Sequence, residues 1–83
     1  MTPEIVAFNY NATAELYPGK RSKRFRTLRY KRFDSAAEAL RYVVEDIPRE
    51  NLPGTVLEID EQRFGPEEIA ALYQDAAYPL ARA

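Results

Sequence analysis

From Glu4 to Tyr17 apolar and polar positions alternate: Val6, Phe8, Tyr10, Ala12, Ala14 and Leu16 fall on one parity, with Ala7, Asn9, Asn11, Thr13 and Glu15 on the other. Successive side chains of a strand point to opposite faces, so this period predicts a β-strand with one buried face, bent or broken near Asn11. Pro18-Gly19 then reads as a turn, and Lys20-Arg21-Ser22-Lys23 extends it into a polar loop. Arg24 to Phe33 is expected to be a second strand, antiparallel to the first.

At Ser35 the period changes. Ser35 with Glu38 three residues later has the form of a capping box, and Ala36, Leu40, Val43, Val44 and Ile47 follow at helical spacing until Pro48. Thr55 to Asp60 reads as a third strand with Val56, Leu57 and Ile59 apolar. Gly65-Pro66-Glu67-Glu68 opens a second helix, because proline suits the first helical position and carboxylates complement the positive end of the helix dipole. Its apolar face is Ile69, Leu72, Tyr73 and Ala76, and Tyr78-Pro79 ends it.

The expected fold is therefore α+β in the order β-β-α-β-α: a three-stranded mixed sheet with two helices on one face. Strands two and three would be parallel, through a right-handed crossover. Arg32-Phe33 and Arg63-Phe64 lie 31 residues apart, as do Ala39 and Ala70, Tyr42 and Tyr73, and Pro48 and Pro79. Two strand–cap–helix joints converging on similar residues are the simpler account of this echo, and a repeated strand–helix unit the sharper one.

Composition narrows the chemistry more than it suggests any. The 83 residues make one small domain, residues 1–83, and contain no histidine, cysteine or tryptophan. Disulfides, Cys/His zinc sites, cysteine nucleophiles and histidine acid–base pairs are thereby excluded. Twelve apolar positions are alanine, so six Tyr and four Phe must supply much of the core. No run approaches the ~18 apolar residues of a membrane span. The start, Met1-Thr2-Pro3-Glu4, lacks a basic segment leading into an apolar one, and a cytoplasmic setting is expected.

Charge is distributed unevenly. Residues 1–33, the expected hairpin, carry 8 Lys or Arg and 2 acids, whereas residues 34–83, the α-β-α part, carry 4 and 11. The basic residues are Lys20, Arg21, Lys23, Arg24, Arg26, Arg29, Lys31 and Arg32, interleaved with Phe25, Tyr30 and Phe33. Arginine binds carboxylate and phosphate bidentately, and Phe25 and Tyr30 are candidates to stack on unpaired bases. Parallel pairing of strands two and three would bring Arg29 near Asp60 and Thr27 near Glu58, neutralising part of the block.

Glu58 and Asp60, two apart, are expected on one strand face, where they could ligate Mg²⁺ or act as an acid–base pair. A solvated strand end explains them more simply, since no nucleophile or phosphate-cradling loop accompanies them. No cofactor is expected. The functional expectation is a non-enzymatic interaction module whose basic hairpin engages an acidic protein surface or a second copy of itself. Single-stranded nucleic acid is the alternative ligand, and a carboxylate-dependent metal enzyme at Glu58/Asp60 a remote one.

Overall fold

Local turn chemistry decides where the first strand begins. The computed structural model describes residues 8–19 and 30–82. Asn9 Oδ1 accepts the Asn11 N–H at 3.0 Å and the Asn9 carbonyl accepts the Ala12 N–H at 3.2 Å. This side-chain-assisted turn interrupts the alternating pattern, as Asn does when its short amide competes for backbone partners. Strand β1 is therefore Ala14–Tyr17, shorter than the pattern predicts. β2 is Lys31–Phe33, the end of the expected Arg24–Phe33 strand. Residues 24–29 lie outside the described residues.

Helix α1, Ala36–Arg41, starts as its sequence predicts: Ser35 Oγ accepts the Glu38 N–H at 3.2 Å. Its continuation, Tyr42–Asp46, widens into a π-turn in which the Ile47 N–H reaches the Tyr42 carbonyl at 3.3 Å. The chain then leaves the helix at Pro48. After a short 3₁₀ turn, Arg49–Asn51, comes β3, Val56–Ile59. A fourth strand, β4, Gln62–Phe64, leads into α2, Pro66–Gln74.

The fold is α+β, in the order β-β-α-β-β-α, and its sheet is four-stranded and antiparallel in the order β2-β1-β3-β4. This corrects the expected three-stranded mixed sheet in two ways. Asp60 and Glu61 reverse the chain with φ of 51° and 66°, making a two-residue hairpin where an uninterrupted passage from strand three to the second helix was expected. β1 lies between β2 and β3, so the anticipated parallel pairing, with its Arg29–Asp60 and Thr27–Glu58 contacts, does not form. An antiparallel neighbour satisfies β3 through the register Ala14↔Ile59, Glu15↔Glu58, Leu16↔Leu57 and Tyr17↔Val56.

Both helices cover the same face. Ala14, Leu16, Leu57 and Ile59 alternate inward and are buried with Ala36, Ala39, Leu40 and Val43 from the first helix and Ile69 and Tyr73 from the second. Segment 8–12 closes the helical layer: Tyr10 Oη donates to the Leu72 carbonyl at 2.9 Å, and the Ala37 N–H donates to the Tyr10 carbonyl at 2.9 Å. At the C-terminal end, Tyr78 Oη donates to the Ala37 carbonyl at 2.8 Å. Arg82 caps α2 by donating to the carbonyls of Tyr73 and Asp75 at 2.8 and 2.6 Å. The tail thus supplies partners that the last turn of a helix lacks on its own. Tyr73 Oη donates to the Glu45 carboxylate, tying α2 to the π-turn.

Candidate interaction surface

The strand alternation that buries Leu16 and Leu57 turns Glu15, Tyr17, Val56 and Glu58 to the opposite, helix-free face. Across all four strands the register aligns Arg32, Glu15, Glu58 and Arg63 in one row. Each outer pair is an arginine directly opposite a glutamate, an attractive cross-strand arrangement, while the central Glu15↔Glu58 pair sets like charges opposite one another. The two arginines are exposed and the two glutamates half-buried. Arginines on the outer strands therefore offset a central pair that would otherwise repel.

Beside this row, toward the C-terminal end of β1, stands an aromatic clasp. Tyr17 Oη and Tyr30 Oη donate to the two oxygens of the Glu15 carboxylate at 3.1 and 2.7 Å, and the rings are 5.3 Å apart at 57°. Tyr30 is 52% exposed and Tyr17 37%. Since β1 ends at Tyr17 and β2 begins at Lys31, the clasp holds together the two ends of the connecting segment, residues 18–30.

Of the eight basic residues singled out in the sequence, Lys31 and Arg32 are described. They point to different sides. The Lys31 ammonium lies over the rings of Phe33 and Tyr42, 5.3 and 4.6 Å from their centroids, a cation–π arrangement that engages it within the chain. Arg32 joins the open face opposite Glu15. Lys20, Arg21, Lys23, Arg24, Arg26 and Arg29, together with the candidate stacking residue Phe25, lie outside the described residues. Tyr30, the other stacking candidate, is on the open face. The ring tilted against it, Tyr17, was not anticipated, because alternation from Val6 to Leu16 put it with the polar parity.

The proposed carboxylate pair separates. Glu58 sits mid-strand on the open face opposite Arg63, whereas Asp60 has entered the turn and lines a cleft on the helical side. Among the described residues no three acidic side chains converge to hold a metal ion.

That cleft, about 350 Å³, was not legible in the sequence. Phe8, Ile59, Phe64 and Leu72 form its apolar wall, with Asn9, Asp60 and Gln62 at the polar margin. The Phe8 and Phe64 rings meet edge to face at 90° and 5.6 Å.

Tyr10, Tyr17, Tyr30 and Tyr78 have hydroxyls held neutral beyond the ordinary phenol range. For Tyr30 the chief cause is its hydrogen bond to Glu15; for Tyr17 it is partial burial, then the same carboxylate. Burial is also the leading cause for Tyr10 and Tyr78. A phenol whose pKa rises on folding contributes stability that is complete below its unfolded value of 10.0 and is lost as pH climbs through the higher folded value. Alkaline titration followed by tyrosinate absorbance is thus expected to show delayed ionisation in the folded chain and loss of structure only above pH 10.0. Glu15→Gln should bring Tyr30 ionisation back toward the ordinary range.

No protein-family model matches this chain, and neither the curated proteins nor the solved structures searched give a match. Among the described residues no helix is long and apolar enough to cross a membrane.

Proposed function

We propose that this protein is a non-enzymatic interaction module, and that the segment Lys20–Arg32 engages an acidic protein surface, foremost that of a second copy of the same chain. The observation carrying this reading is the placement of that segment's ends: the Tyr17–Tyr30 clasp roots it on the helix-free sheet face, beside exposed Arg32. A basic, arginine-rich segment so anchored offers bidentate donors suited to carboxylates. The acidic counterpart is supplied by residues 34–83, with 11 acids against 4 basic residues. Complementary charges on one chain favour pairing between copies.

Light scattering at low ionic strength is expected to find a dimer that dissociates as salt rises. Arg26→Glu with Arg29→Glu should abolish it while leaving the helical circular dichroism intact. A strict monomer at high concentration and low salt defeats the self-association reading.

The exposed Tyr17–Tyr30 pair favours one second reading, single-stranded nucleic acid bound by stacking and phosphate contacts. A labelled single-stranded oligonucleotide separates the two. A phosphate tracker loses affinity log-linearly with salt, and no binding at ~20 mM salt removes that reading.

A further inference from the structure

The two hairpins occupy equivalent places in the sheet, yet their connections carry opposite charge. Ala14, Glu15 and Leu16 stand to Phe33, Arg32 and Lys31 as Leu57, Glu58 and Ile59 stand to Phe64, Arg63 and Gln62. The first hairpin is connected by residues 18–30, which hold six Lys or Arg and no acid; the second is connected by Asp60 and Glu61 alone. Because β1 and β3 are antiparallel neighbours, these connections leave the sheet at opposite ends.

The acidic connection borders the cleft of Phe8, Ile59, Phe64 and Leu72. Its volume lies at the small end of the roughly 300–1,000 Å³ range of ligand sites. The perpendicular Phe8 and Phe64 rings present the edges and faces that a third ring packs against. An apolar wall with a carboxylate at its margin fits an aromatic group flanked by cations. Two stretches of this chain have that composition, Arg24-Phe25-Arg26 and Arg29-Tyr30-Lys31, and the ring of the second is already held by Glu15 in the clasp.

We propose that the cleft between the β3–β4 turn and α2 receives the Phe25 ring of a second copy of this chain, with Arg24 and Arg26 beside the carboxylates of Asp60 and Glu61. This rests on the self-association reading and specifies its contact. Placement argues for a second copy over the same one: the segment is rooted through Tyr17 and Tyr30 on the open face at one end of the sheet. The cleft lies on the helical side at the other end, where Ile59 pairs with Ala14. Each copy offers both a basic segment and a cleft, so a two-fold pair satisfies both at once.

The test is a titration of a synthetic peptide of residues 20–30 into the isotopically labelled full chain, with light scattering of the chain alone. Saturable shifts are expected at Ile59, Gln62, Phe64 and Leu72, and replacing Phe25 by alanine in the peptide should weaken binding roughly tenfold or more, as loss of a central aromatic anchor does. Asp60→Asn with Glu61→Gly separates docking from folding. Asn-Gly is the preferred pair for a two-residue hairpin turn, so this variant keeps or gains thermal stability while binding the peptide roughly tenfold more weakly. Absence of saturable shifts, shifts away from the cleft, or unchanged peptide binding by the double variant overturns the proposal. So does a monomer in which Phe25→Ala moves the cleft resonances, since the ring would then be the chain's own. A salt-sensitive dimer indifferent to Phe25→Ala and to the turn variant overturns this contact and leaves the self-association reading standing.

Discussion

Leu57→Ala is expected to lower the unfolding free energy by about 2–5 kcal/mol, the cost of removing a fully enclosed leucine and leaving a cavity. Leu57 is 0% exposed and sits on a central strand, with Leu16 opposite on β1 and Phe64 opposite on β4. A domain of 83 residues has roughly 4–12 kcal/mol in total, so the loss is a large part of the whole. In a chain this small each kcal/mol moves the melting temperature by about 4–8 °C, which puts the expected drop at roughly 8–40 °C. The neighbouring Val56→Ala supplies the contrast. Val56 faces the half-open side opposite Tyr17, and its truncation should cost under about 1 kcal/mol. Thermal and urea unfolding of the two variants measure the difference. Equal effects would mean that the helices do not cover the face assigned to them.

The two hairpin–helix halves explain the 31-residue echo in part. Arg32-Phe33 and Arg63-Phe64 close β2 and β4, the two outer strands, and each pair leads within three residues into a helix. In both, arginine turns outward opposite a glutamate and phenylalanine packs against the core. Cross-strand chemistry that works at one sheet edge works at the other. The halves differ in the hairpin connection: Asp60 and Glu61 suffice to join β3 to β4, whereas residues 18–30 join β1 to β2.

Signals local to a few residues were legible. Ser35 and Glu38 fixed the start of the first helix, Pro48 its exit, and Gly65-Pro66 the start of the second. What escaped was whatever depended on tertiary agreement. β4 was missed because Asp60-Glu61 is a poor advertisement for a tight turn: two successive residues with side chains take positive φ, where Asn-Gly is the usual choice. Strand order was missed with it, since without β4 the simplest topology joins strands two and three through a crossover helix. On the surface, the density of arginine between Lys20 and Arg32 was plain, but the division of labour at its end was not. Lys31 and Arg32, adjacent in sequence, face opposite sides of the sheet, one occupied by aromatic rings and the other on the open row. The clasp on Glu15 depends on Tyr17 and Tyr30 meeting across a hairpin, which spacing alone does not encode.

Gly19→Ala should cost about 1–3 kcal/mol, the range for forcing extra atoms into a filled site. A methyl group there would overlap the carbonyl oxygen of Pro53 and come within 3.0 and 3.1 Å of the backbone carbons of Gly54. All three obstacles are main chain, so no side-chain rotation relieves them; the turn before β3 or the exit from β1 must move. Gly54 itself holds φ at 84°, which ties that turn to a conformation favoured by glycine and limits its freedom to yield. The consequence reaches the proposed surface, because Gly19 lies two residues beyond Tyr17 and its close approach to Pro53 fixes the chain where it leaves β1. Gly65→Ser is the matched control. Gly65 has φ of −85°, the nearest obstacle to an added Cβ is the flexible tip of Glu68 at 3.9 Å, and serine is a preferred residue at the start of a helix. That change should be neutral or stabilising by up to about 1 kcal/mol. Urea unfolding of both variants gives the energies, and hydrogen exchange at Leu16 and Tyr17 reports the loosening. A Gly19→Ala chain as stable as the parent, with unaltered exchange in β1, would mean that the exit from β1 at Gly19 does not rest on Pro53.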